Sequence, residues 1–159
     1  MPAVNVTCRW LALLLGAFFL LSCGGKHPPV PQLRNTRQKF SVQVNVSESA
    51  NDNSPIAMDF VVVRDKKLMQ EVSKLAAKDW FDRRVQFERD FPAQLAVVSW
   101  EWVPGQHAGP ISIALANKDK FGYIFVNYRN GGDHRAVVDL RSPVVINLGM
   151  QDFTVHAIR

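Results

Sequence analysis

Cysteine is almost missing from this chain of 159 residues, which holds only Cys8 and Cys23. Both lie near the start, so the rest of the chain has no disulfide framework and no thiolate zinc set. Long apolar runs are missing too. Trp10 to Leu21 is twelve residues, and at about 1.5 Å of rise each these fall well short of the roughly 20 that cross a hydrocarbon core. The sequence has no Gly-x-Ser-x-Gly elbow, His-Glu-x-x-His pair, phosphate loop or Gly-x-Gly-x-x-Gly turn. Its histidines, His27, His107, His134 and His156, are widely scattered. His134 and His156 could meet across strands, yet two histidines without an obvious third ligand make a poor zinc site. Asp79, Asp82, Glu88 and Asp90 read as caps and a solvated helix face rather than an acid/base pair. These absences predict a chain with no catalytic residue, cofactor, metal or small-molecule substrate.

What is present begins with Leu20, Leu21, Ser22 and Cys23, which close the apolar run and read as a lipoprotein processing site. Arg9 precedes the run, giving a basic region, an apolar region, a small residue and then cysteine. An ordinary secretory peptide would share the first two features, and Leu21 is larger than is usual at its position. Residues 1–22 are therefore expected to be removed and Cys23 to be lipidated. Each buried methylene adds about 0.8 kcal/mol, so more than one acyl chain anchors stably. Gly24 follows in place of a retention Asp, which predicts the periplasmic face of the outer membrane.

Loss of Arg9 would lower the formal charge from +5 to +4. Lys26, Arg34, Arg37 and Lys39 share the segment 23–39 with Pro28, Pro29 and Pro31, the composition of a basic, extended tether. Basic residues elsewhere are dispersed among acids, which argues against nucleic acid as a partner.

Residues 40–159 have the length of one domain. Phe40, Val42, Val44 and Val46 alternate with Ser41, Gln43, Asn45 and Ser47, the period of a half-buried strand. Glu48 to Pro55 is polar, with turn chemistry at Asn51, Asp52, Asn53 and Ser54. Ile56 to Arg64 is almost continuously apolar, as a strand covered on both faces would be. Leu68, Met69, Val72, Leu75 and Ala76 then fall at helical spacing, and Asp79 is placed to cap a second helix carrying Trp80, Phe81, Val85 and Phe87.

Six further β-rich segments follow, from Leu95 to Ile158, with Pro104, Gly105, Gly109 and Pro110 punctuating one connection. Asn130, Gly131, Gly132 and Asp133 predict a hairpin turn. The expected fold is mostly β: a two-sheet antiparallel β-sandwich of about eight strands with a helical insertion after the second.

The order of these features resembles the outer-membrane lipoproteins of type VI secretion systems, the TssJ family, also called SciN or VasD. The resemblance runs through the lipidation motif, the first strand, and the Asn/Asp loop leading into Ser54, Pro55 and a β-branched run. It continues through Asp79, Trp80 and Phe81, the turn Pro104, Gly105 and Gln106, the strand Gly122 to Arg129, and Arg135, Ala136 and Val137. The first loop is more compact than is usual in that family, and Gln70 to Arg89 more regularly helical. The resemblance implies a transthyretin-like sandwich that binds the periplasmic C-terminal region of the inner-membrane protein TssM. It assigns partner contact to Glu48, Ser49, Ala50, Asn51, Asp52, Asn53 and Ser54. A different reading comes from Trp100 and Trp102, which share a strand face with Val98. Exposed, they would suit stacking on sugar rings and a glycan- or peptidoglycan-binding module; buried, they are core.

Overall fold

Two four-stranded sheets face each other, and each is assembled by strands that bury alternate residues. The computed structural model describes residues 38–119 and 121–158. The strands are β1 (Gln38–Val46), β2 (Ile56–Val63), β3 (Leu95–Trp102), β4 (His107–Leu115), β5 (Phe121–Asn127), β6 (Arg135–Asp139), β7 (Val144–Leu148) and β8 (Phe153–Ala157). Helices α1 (Lys66–Val72) and α2 (Ala77–Asp90) stand between β2 and β3. One sheet has the order β4-β1-β7-β8 and the other β3-β2-β5-β6. Pairing is antiparallel except between β1 and β7, which run parallel with Val42 opposite Val144 and Val46 opposite Leu148.

The alternation in β1 sends Phe40, Val42, Val44 and Val46 into the space between the sheets. There Phe40 stacks on Phe60 at 5.4 Å. β2 is covered on both faces. Ile56, Met58, Phe60 and Val62 point to the first sheet, and Val61 joins Leu68, Val72, Trp80, Phe87, Tyr123 and Phe125 under the helices. Its near-continuous apolar run reflects this double burial. Asp59 also lies on the helix side, fully buried, where Trp80 Nε1 donates to it at 2.8 Å and Arg84 Nη1 at 3.1 Å. Trp102 is buried and Trp100 half-buried, and both pack against the inter-sheet core.

The helical insertion differs in detail from the sequence expectation. Asp79 does not cap the second helix, and the side-chain cap of the insertion belongs to α1, where the Asp65 carboxylate accepts from the backbone of Lys67 and Leu68, both at 2.9 Å. Past the end of α1 at Val72, Arg135 reaches from β6 to the carbonyls of Ser73 and Leu75, satisfying groups that a longer helix would have bonded internally. α2 starts at Ala77, two residues before Asp79, and its N-cap Ala76 makes no side-chain bond. The Asp133 carbonyl takes the Ala77 amide at 2.8 Å instead. Asp79 sits in the first turn, where a carboxylate still suits the helix dipole. Among the described residues no helix is long and apolar enough to cross a membrane. The processing motif, Cys23 and nearly all of the tether lie outside them.

Candidate functional site

Four connections meet at one end of the sandwich. They are the loop 47–55 between β1 and β2, the turn 103–106 between β3 and β4, the loop 128–134 between β5 and β6, and the turn 149–152 between β7 and β8. Backbone bonds tie the first loop to two of its neighbours: Ser47 donates to Leu148 O at 2.9 Å, Gly105 to Ser47 O at 3.2 Å, and Asn51 to Gly149 O at 3.3 Å.

Within the loop, Asn51, Asp52 and Asn53 all take positive φ, at 49°, 53° and 57°. Asn and Asp are the side-chain-bearing residues that enter this left-handed region most readily, which is why the sequence can place three in a row. The resulting turn is closed by Ser54 N, which donates to Asn51 O at 3.1 Å. Asn51 is the buried post of the site. Its Nδ2 donates to Pro55 O at 2.9 Å and its Oδ1 accepts the Arg129 backbone amide at 2.8 Å. The Arg129 guanidinium reaches Ser54 Oγ at 3.0 Å. Gly105, at φ +79°, gives the turn beneath Glu48 a conformation unsuited to a side chain.

The seven residues singled out from the sequence therefore separate by position. Glu48, Asp52 and Asn53 are exposed, Ser49 and Ser54 half-buried, and Ala50 and Asn51 buried. The last two hold the loop rather than present a surface. Sequence reasoning missed the residues that brace it from the β5–β6 side. Tyr128 donates its hydroxyl to Gly149 O at 3.2 Å, and its ring packs 4.8 Å from His134. His134 Nδ1 faces Asp152 at 3.1 Å and Nε2 faces Asn130 O at 3.2 Å. Burial, and then the Asp152 carboxylate, push the Tyr128 phenol above its ordinary value, which keeps it a donor. Gly132 is required beside this ring: at φ +158° a Cβ would lie 2.7 Å from His134 Nε2.

His134 and His156 do not form the cross-strand pair that the sequence suggested. His134 precedes β6 in one sheet, and His156 lies exposed on β8 in the other. Among the described residues no three His, Cys, Asp or Glu side chains converge to hold a metal. A cavity of about 530 Å³ opens between the first turn of α2 and the β5–β6 loop, lined by Lys78, Asp79, Asp82, Arg129 and the Gly131–Gly132 backbone.

TssJ1, a T6SS lipoprotein from Pseudomonas aeruginosa, superposes on this domain with a TM-score of 0.61, over 77% of this chain and 98% of that one, at 14% identity. The fold is that of TssJ. Serratia marcescens Lip, a membrane-bound component of the type VI secretion system, matches the same TssJ fold with a TM-score of 0.60, over 77% of this chain and 99% of that one, at 14% identity. A chain in a structure of the T6SS protein TssM C-terminal domain (869–1107) from EAEC matches with a TM-score of 0.57, over 76% of this chain and 98% of that one, at 12% identity. No protein-family model and no curated protein matches the sequence.

Proposed function

We propose that this chain is a TssJ-family lipoprotein of a type Vi secretion system, held on the periplasmic face of the outer membrane through Cys23. There it binds the periplasmic C-terminal region of TssM and so helps build the envelope-spanning complex. The observation that carries this reading is the match to nearly the full length of two type VI secretion proteins, one named a lipoprotein and one membrane-bound. The lipidation motif of this chain supports it independently. The chain matched in the TssM structure is about as long as this domain and shorter than the segment 869–1107, which fits a TssJ-like chain held with TssM. The glycan-binding alternative loses its basis, because Trp100 and Trp102 pack against the core.

In this reading Glu48, Asp52 and Asn53 make the partner contact. The test is titration calorimetry of the full chain, purified in detergent, against the periplasmic region of the TssM protein encoded in the same genome. Wild type binds saturably, one to one. Changing Glu48 and Asp52 together to Lys weakens binding about tenfold, roughly 1.4 kcal/mol, with a steeper loss at low salt. The melting temperature falls only slightly: both side chains are exposed, and the cost is that Lys enters the φ of 53° at position 52 less readily than Asp does. Equal affinity in the variant removes the loop from the interface.

The anchor is tested separately. Cys23→Ser moves the protein from the membrane fraction to the soluble periplasm and abolishes effector release, while the domain melts as before. Normal release by the soluble form removes the anchoring role.

A further inference from the structure

Met150 is an apolar side chain at a turn tip, where the chain usually places polar residues. It is 50% exposed, and the fold gives it no core to pack in. Yet the turn that carries it is braced. Gly149 O accepts from both Asn51 N and Tyr128 Oη, Gln151 O accepts Asn130 Nδ2 at 3.1 Å, and Asp152 is bonded by His134. The side chain is thus displayed on a backbone fixed from the β1–β2 loop on one side and the β5–β6 loop on the other. Such preorganisation lowers the ordering cost of binding.

The charge around it is unlike that of the chain as a whole. The full sequence has a formal charge of +5. The four connections at this end carry the acids Glu48, Asp52, Asp133 and Asp152 against Arg129 and the buried His134, and all of these but His134 are exposed. Arg129 is already engaged with Ser54. Methionine and arginine are both enriched at protein interfaces, and the thioether adapts to pockets of varied shape. Val103, 56% exposed in the β3–β4 turn, adds apolar surface at the same end.

We infer that the partner-contact surface extends beyond the β1–β2 loop to the β7–β8 turn, with Met150 as its apolar anchor inside an acidic rim. The occupant is a protein surface presenting an apolar pocket bordered by Lys or Arg. This rests on the TssM-binding reading, so the occupant tested is the same periplasmic TssM region.

Met150→Ser and Val85→Ser are titrated beside the wild-type full chain in detergent. Val85 is a matched control, 52% exposed on α2 and outside the four connections. Met150→Ser is expected to weaken binding at least tenfold, in the range of an interface hot spot. Val85→Ser binds as wild type, and both variants melt as wild type. If wild type binds and Met150→Ser binds equally well, the turn is not part of the interface and the inference fails alone. Equal weakening by Val85→Ser also overturns it, because the effect would not be specific to this end. If wild type shows no binding, the functional reading fails and the inference falls with it.

Discussion

Phe60→Asp leaves no cooperatively folded domain. Phe60 is 1% exposed, stacks on Phe40 and lies opposite Val98 and Ile124 in the neighbouring strands. Truncating a buried Phe alone costs about 3–5 kcal/mol. An unpaired carboxylate in its place adds a desolvation penalty of several kcal/mol. Together these amount to roughly 6–10 kcal/mol, enough to consume the stability of a domain in the lower half of the usual range of about 5–15 kcal/mol. The expected observations are loss of the near-ultraviolet circular dichroism signal and of any sigmoidal melt. Val44→Asp, on the facing sheet, should do the same. A cooperative melt in either variant would mean that the inner faces of β1 and β2 are wrongly assigned.

Asp59→Ala acts on the other face of β2 and loosens the seating of the helical layer, which the apolar cluster around Trp80 and Phe125 still holds. In the native domain the Asp59 carboxylate accepts from Trp80 Nε1 and Arg84 Nη1. Its removal leaves a buried indole N–H and a half-buried guanidinium without their acceptor. Breaking a buried charged pair costs about 3–5 kcal/mol. The Arg84 side chain is 35% exposed and regains water, which places the effect at the lower end. A loss near 3 kcal/mol lowers the melting temperature by roughly 10 °C in a domain of this size. Asp59→Asn keeps an acceptor for Trp80 and should lose clearly less. Equal losses for the two variants would show that the negative charge, and not the Trp80 bond, dominates the site.

The strands were legible in the sequence because each burial pattern leaves its own signature, alternating where one face is solvated and continuous where both are covered. β1 alternates in the way that one solvated face requires, and β2 lacks alternation because it is covered twice. Element ends were less legible where the partner is remote. Nothing local to Ser73 indicates that Arg135, some 60 residues later, will take its carbonyl just past the end of α1. Nor does anything near Ala76 show that Asp133 will receive the first amide of α2 in place of a side-chain cap. The candidate loop could be located from Asn51, Asp52 and Asn53, whose shared tolerance of the left-handed region marks a turn. Its internal division could not, because the burial of Ala50 and Asn51 depends on the β5–β6 and β7–β8 connections. Met150 looked unremarkable in a linear sequence; it becomes informative only once the turn beneath it is seen to be fixed.

The parallel pairing of β1 with β7 has a consequence for the order in which the chain becomes structured. All the strands of the helix-bearing sheet come from residues 56–139, so that layer can assemble from one contiguous stretch. The facing sheet cannot. β1 lies between β4 and β7, and β7 begins only at Val144. Contacts this distant in sequence close slowly, since a long loop must be ordered before they are gained. The first described strand to leave the ribosome is therefore among the last to be seated, and a nascent chain cut anywhere before Val144 carries Phe40, Val42 and Val44 with at least one flank of their strand bare.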